Sequence, residues 1–379
     1  MQFVYGFDHD HGRVPKELTE LLGGKGANLA EMASVLDLPV PPGFTITTEA
    51  CRAYLDTESW PDGLEDQVAQ AVARLESTVG RTLGGADDPL LVSVRSGARQ
   101  SMPGMMDTVL DLGLNDESVE GLATITGDRR FAYDSYRRFV QMFAEVVLDV
   151  PDDVVDDVLD DARRAHGVSV ESELEADALA ELASALKAVV EEHTGQPFPQ
   201  EPQVQLRLAI DAVFRSWNAP RARAYREREK IDHRLGTAVN VQMMVFGNRD
   251  EQSGTGVGFT RDPSTGHAGV YGDFLMNAQG EDVVAGTHAT LPLSELESRL
   301  PEIHAELVDI FERLETHYRD MLDTEFTIEQ GKLWMLQTRI GKRSGAAAVR
   351  MAVAMVDDDH IGLSRAEAIR RVTPDHLDQ

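Results

Sequence analysis

The chain carries one cysteine, Cys51, so it cannot form an internal disulfide. That suits a reducing compartment, and a cytoplasmic setting is the expectation. No apolar run is long enough to span a bilayer. The opening residues Met1 to Phe7 lack the basic start and apolar core of a signal peptide. Low-complexity tracts and internal repeats are absent. Positive charge is in short supply: 36 basic residues stand against 65 acidic ones, a formal charge of −29. Such a surface repels nucleic acid and anionic membrane, so neither is expected as a partner. The acidic excess is compatible with a salt-rich cytoplasm. Lysine is scarcest of the charged types, with only Lys16, Lys25, Lys187, Lys230, Lys332 and Lys342. A lysine in a glycine-rich setting therefore stands out.

What is present fits a globular protein. Hydrophobic content is 42%, and 379 residues suffice for two or three packed units. Leu29, Met32, Ala33 and Leu36 share one face of a predicted helix over about 27–36. The run Leu90 to Arg95 reads as a buried strand ending in an arginine, followed by a loop rich in Gly, Ser and Met. Residues 116–196 read as helical, with Phe131, Tyr136, Phe139, Val140 and Phe143 at helical spacing. The acidic run 152–161 reads as a solvated helix face. Another helix precedes residue 240, and short β-type runs fill 238–341. The tail holds a helix near 346–356 and a second that starts at Ser364, with Glu367 completing a capping box.

Six segments could carry chemistry. Gly23-Gly24-Lys25-Gly26 sits before a helix, where glycines let the backbone approach an anion and Lys25 adds charge. It is not a P-loop, because Gly26 follows the lysine where Ser or Thr belongs. Arg95 ends its strand, and guanidinium forks onto phosphate oxygens. The loop after it, with Gly104, Met105 and Met106, could close over a nucleotide. Ser253 to Thr260 reads as a glycine-rich turn feeding a strand, with Thr255 offering a hydroxyl to phosphate. The apolar strand Val239 to Gly247, with Gln242 and Met244, could face an adenine ring or simply be core. Glu281, within Asn277 to Gly286, is a candidate further carboxylate.

The most informative segment is Asp323 to Arg339. It reads as a hairpin with a three-residue loop, Gln330-Gly331-Lys332. That loop pairs Glu329 with Leu333, Thr327 with Met335, Glu325 with Gln337 and Asp323 with Arg339. Two carboxylates, an amide and a guanidinium then share one face. Phe326, Ile328, Trp334 and Leu336 are left for the core. Asp323 and Glu325 on rigid strands suit magnesium, with phosphates completing its shell. The same pattern also fits a surface ion pair of little energetic weight.

Taken together these segments resemble the pyruvate phosphate dikinase family. The matching runs are GGKGANLAEM, VSVRSGARQSMPGMMDTVLDLGLN, AVNVQMMVFGN, SGTGVGFTRDPSTG, NAQGEDVVAG and DTEFTIEQGKLWMLQTRIGKR, in family order across about 20–350. The related phosphoenolpyruvate synthases differ after the VRS and match less well. The resemblance implies an α+β, ATP-grasp fold with an inserted helical subdomain. It divides the chain into an N-terminal lobe over 1–115 and 197–240, a helical insertion over 116–196, a C-terminal lobe over 241–341 and a helical tail over 342–379. It also implies a reaction in which ATP, phosphate and pyruvate interconvert with AMP, pyrophosphate and phosphoenolpyruvate. In that family the nucleotide domain passes the β-phosphoryl group to a histidine on a separate swivelling domain.

By the same resemblance, Lys25 and Arg95 hold phosphates, with Gly104 and Met105 closing over them. Asp323 and Glu325 serve Mg²⁺, Gln337 and Arg339 complete the transfer site, and Glu281 lies toward nucleotide or metal. None of the 11 histidines has the family's TSGG-x-x-SHAA setting. The phosphohistidine and pyruvate-binding domains are therefore expected in trans, or as lost by truncation. Two other readings remain open at this point: a non-catalytic nucleotide-binding remnant, and a synthase-like ATP-grasp module.

Overall fold

The computed structural model describes residues 1–102, 104–284 and 289–377. Of Glu281, Val284, Asp375 and Leu377 it describes the backbone only. The chain forms two compact units, one from Met1–Ala30 with Pro42–Met244, the other from Glu31–Pro41 with Val245–Gln379. Both combine helix and sheet, which agrees with the expected α+β class.

The first unit is built on strands β1 (Val4–Gly6), β2 (Gly43–Ile46), β3 (Val92–Ala98), β4 (Thr108–Leu112) and β5 (Thr237–Met243), in the order β1-β2-β5-β3-β4. Every neighbouring pair is antiparallel. Alternation sorts the two faces. One carries the rung Phe44, Val241, Val94, Val109, all at 2% exposure or less. The other carries Tyr5, Thr45, Asn240, Arg95, Thr108.

Helix α1 (Thr19–Ala30) lies on that second face. A Cβ added at Gly23 would sit 1.7 Å from the Gly97 carbonyl oxygen, so only glycine admits this approach. Gly23 is also non-helical, with φ 67° and ψ 168°, and it splits the helix. The helix expected near Ala27 thus starts earlier and restarts at Gly24. Helices α2 (Arg129–Val146), α3 (Asp152–His166), α4 (Ala176–Thr194) and α5 (Pro202–Ser216) follow. α2 buries Phe131, Tyr136, Phe139, Val140 and Phe143, as their spacing predicts. α3 buries only Val155 and Leu159 and leaves its acids outward.

The second unit is a sheet of β6 (Gly254–Arg261), β7 (Ala268–Met276), β8 (Leu291–Pro292), β9 (Leu322–Glu329) and β10 (Lys332–Ile340), in the order β8-β7-β6-β9-β10. Helix α6 (Gly280–Val284) follows β7, α7 (Pro301–Tyr318) precedes β9, and α8 (Gly345–Asp357) follows β10. α7 buries Ile303, Leu307, Ile310, Phe311 and Leu314, while the sheet buries Leu322, Phe326, Ile328, Leu333 and Met335. The Ser364–Glu367 capping box is present.

The segment read as a glycine-rich turn is strand β6 itself. Its glycines have a packing reason. A Cβ at Gly256 would come within 2.5 Å of the Phe326 ring, and one at Gly258 within 2.6 Å of the Phe311 ring. Alternate glycines clear one face for aromatics; they do not form a phosphate-binding loop.

The residues that follow α1, Glu31–Val35, form a π-type turn in place of the expected helical end. Glu31 is wholly buried and pairs with His317. The Met335 N–H donates to the Pro39 carbonyl at 2.8 Å, so segment 31–41 is tied to its own unit.

Candidate functional site

The β9–β10 hairpin turns through two residues, not three. Gln330 and Gly331 both take positive φ, 50° and 72°, the geometry that matches strand twist in a tight hairpin. Glu329 therefore faces Lys332, and Thr327 faces Trp334. The sequence reading had these pairs one residue off. Leu333 and Met335 consequently fill the core, and Trp334 and Leu336 do not. A β-bulge between Glu325 and Phe326, with Leu336 as the extra residue opposite, then restores the register. Beyond it Glu325 pairs with Gln337 and Asp323 with Arg339, as expected.

These four side chains engage one another on the face away from Phe326. The Arg339 Nε donates to Asp323 Oδ2 at 2.7 Å, and its terminal nitrogen reaches the same oxygen at 2.7 Å. The Gln337 amide donates to Glu325 Oε1 at 2.8 Å. Burial pushes the Asp323 carboxyl above the ordinary range; Arg339 opposes this, and the nearby Glu325 charge adds to it. A carboxylate accepts up to about four hydrogen bonds. The pair can thus offer oxygens to a cation while keeping these partners. Among the described residues no group of three or more His, Cys, Asp or Glu is arranged to hold a metal. Among the described residues, Asp323 and Glu325 are the carboxylates paired on this face.

The same face continues across β6. Phe259 lies beside Asp323 and packs with Met321, Ala347 and Met351, the last two on α8. Thr255 lies beside Thr327, 3% exposed, its hydroxyl donating to the Phe326 carbonyl at 3.2 Å. That hydroxyl is engaged within the sheet. α6 rests near it: a Cβ at Gly280 would lie 3.8 Å from Thr255 Oγ1. Glu281 is on α6, and its side chain lies outside the described residues.

In the first unit, Lys25 falls in the first turn after the Gly23 break. A Cβ at Gly97 would lie 3.5 Å from the Lys25 Cβ. Arg95 and Gly97 are two apart on β3 and so share a face. Lys25 thus sits over the face of the first sheet that also bears Arg95, and both are half-buried. Arg95 is in mid-strand, since β3 runs on to Ala98, not at the strand end expected.

Gln242 is buried on β5, on this same face; its carbonyl accepts from the Ser93 hydroxyl at 3.4 Å. Met244 lies past the end of β5, and its N–H donates to Leu91 at 2.9 Å. Gly104 is exposed at φ 68°. Met105 and Met106 pack on a cluster of Met102, Trp217 and Ile231.

Two participants were not singled out from sequence. Arg221 donates to the Met105 carbonyl at 3.3 Å and pairs with Asp107, holding the methionine loop. Asn240, fully buried, accepts from the Thr45 hydroxyl at 2.9 Å and donates to the Arg95 carbonyl at 3.5 Å. An amide between Val239 and Val241 in an otherwise apolar strand was the available signal.

The sequence matches the family described as pyruvate phosphate dikinase, AMP/ATP-binding domain, over residues 19–59, 52–292 and 293–360. It is 51% identical to pyruvate, phosphate dikinase of Clostridium symbiosum over 380 residues, covering 100% of this chain and 43% of that protein. Against the Giardia intestinalis protein of the same name identity is 52%, covering 95% of this chain and 41% of the relative. Against pyruvate, phosphate dikinase 2 of Oryza sativa it is 51%, covering 100% and 42%. The chain thus spans less than half the length of these curated relatives. It belongs to the pyruvate phosphate dikinase AMP/ATP-binding domain family.

Proposed function

We propose that this chain binds Mg-ATP in an ATP-grasp fold and passes the β-phosphoryl group of ATP to a histidine on a further domain. The lobes would be 1–115 with 197–240, and 241–341, with 116–196 as a helical insertion and 342–379 leading toward the acceptor domain. The observation that carries this reading is the in-register face of Asp323, Arg339, Glu325 and Gln337, in a chain half identical to the dikinases along its whole length.

Each residue has a physical task. Lys25 and Arg95 neutralise phosphate oxygens from one face of the first sheet. Gln242 and Met244 lie toward the base, Gly104 and Met105 toward the phosphates, and Glu281 toward the nucleotide or metal; Thr255, its hydroxyl held in the sheet, backs this face. Mg²⁺ takes few protein carboxylates and keeps waters and phosphate oxygens, which fits the paired carboxylates of Asp323 and Glu325. When bound, it neutralises charge on the polyphosphate. Gln337 orients the Glu325 carboxylate. Arg339, held toward the site by Asp323, meets charge on the moving phosphoryl group. Phosphoryl transfer needs mainly placement and electrostatics, and these side chains supply both.

In the full dikinase cycle phosphate and pyruvate are the further substrates, and pyrophosphate, AMP and phosphoenolpyruvate the products. The acceptor histidine and the pyruvate site belong to other domains of the longer relatives' kind. A cytoplasmic setting suits the buried thiol of Cys51. The test mixes this chain with ATP labelled at the β-phosphate, Mg²⁺, the isolated histidine domain of a dikinase, and phosphate to carry off the γ-phosphoryl group as pyrophosphate. An acid-labile phosphoprotein and AMP are expected. ATP binding without either product favours a binding-only remnant.

A further inference from the structure

We propose that Asn240 is a positioning residue that sets the spacing of Lys25 and Arg95; this rests on the reading that those two cations hold phosphate. Asn240 is fully buried on the central strand of the first sheet, in the rung that holds Thr45 and Arg95. Its Oδ1 accepts from Thr45 Oγ1 at 2.9 Å, and its Nδ2 donates to the Arg95 main-chain carbonyl at 3.5 Å. The amide thus ties the strand that bears Arg95 to its neighbours, from beneath the helix that bears Lys25.

Two glycines make room for it. A Cβ at Gly26, the residue after Lys25, would come within 2.8 Å of Asn240 Oδ1 and 2.6 Å of Thr45 Oγ1. A Cβ at Gly97, two residues after Arg95, would come within 2.5 Å of Asn240 Nδ2. The amide is therefore wedged between the helix turn that carries Lys25 and the strand that carries Arg95.

A fold-only role would favour a different residue. Valine suits a buried central strand, and valines flank this position on both sides. A buried amide is tolerated only when its donor and acceptor are satisfied. Here both are, and each bond runs to an element beside the cation pair. Ordering two long cationic side chains on binding would cost affinity; a scaffold that fixes the elements bearing them beforehand lowers that cost. Asn240 touches no phosphate in this account. It acts through the backbone on either side.

The test is calorimetric titration of the full chain with ATP and, separately, AMP, both with Mg²⁺, alongside thermal melts. Asn240→Ala is expected to weaken ATP by about tenfold or more and AMP by less than about threefold. Thr45→Val, which removes the hydroxyl at constant shape, should move ATP the same way, and Thr45→Ser should restore it. A bare structural role would weaken both nucleotides alike and would not be rescued by serine. Unchanged ATP affinity in Thr45→Val, or equal loss for both nucleotides, overturns the proposal. If Asn240→Ala does not fold, the Thr45 pair decides alone. Failure of the wild-type chain to bind ATP at all overturns the phosphate reading itself.

Discussion

Asp323 and Arg339 face each other across the β9–β10 ladder, with Nε and a terminal nitrogen both 2.7 Å from Asp323 Oδ2. The arginine side chain is 41% exposed and the aspartate 13%. The cation therefore reaches solvent while the carboxylate that holds it is largely covered. This asymmetry leaves Asp323 with a raised pKa despite its partner, because burial outweighs the attraction.

The sign of the resulting pH dependence is fixed. A carboxyl with a raised folded pKa keeps its proton longer in the folded state, so stability falls as pH rises through the window above the ordinary aspartate range. Asp323→Asn removes that term. The variant should match wild type at about pH 3, and gain relative to it as pH rises toward about 7. Paired urea melts across that range check this. A gap that narrows with rising pH would contradict it.

Arg339→Leu should leave the fold in place and lower phosphoryl transfer by at least about a hundredfold, the usual scale for losing a group that meets developing charge. Its partner Asp323 then loses the guanidinium that opposes the effect of burial on its carboxyl, and its pKa should climb further. Single-turnover transfer and a melting curve read the two effects separately. Wild-type rates in a folded variant would remove Arg339 from the chemistry.

Gly258→Ala should destabilise the second unit by about 1–3 kcal/mol through overpacking. The added methyl would lie 2.6 Å from the Phe311 ring and 3.1 Å from Leu293. Urea denaturation measures this. If the variant instead keeps full stability and loses ATP affinity, the packing explanation of these glycines is wrong and a phosphate-lining role returns.

The charge of −29 predicts salt-dependent stability. Helix α3 alone presents Asp152, Asp153, Asp156, Asp157, Asp160 and Asp161. Screening such self-repulsion favours the compact state. The melting temperature should rise by several degrees between about 0.05 M and about 1 M KCl, where the Debye length falls to about 3 Å. A flat or falling curve would show that the acids are already compensated locally.

Much of the geometry of this candidate face is legible in the residues alone, for reasons that can be named. Strand alternation puts Asp323 and Glu325 on one face, and the expected rungs Asp323–Arg339 and Glu325–Gln337 stand. The loop is one residue shorter than the sequence suggests because Gln330 is an unusual choice for a positive-φ turn position, which favours Asn, Asp or Gly. Bulges leave little trace in sequence, so Leu336 as the compensating residue was not visible. The Gly254–Gly258 run reads as a turn because glycine is the usual mark of one. Its true cause, the rings of Phe326 and Phe311, comes partly from a helix some 50 residues away in sequence. Asn240 was passed over because an amide inside an apolar strand signals only once its partners Thr45 and Arg95 are known.

The most direct test of the account is the effect of Mg²⁺ on ATP affinity, measured by calorimetry for wild type and for the Asp323→Asn, Glu325→Gln double variant. Magnesium should tighten ATP binding to wild type by about tenfold or more and have little effect on the folded double variant. An equal magnesium effect in both would mean that the β9 carboxylates hold no cation, and the assignment of this face would be wrong.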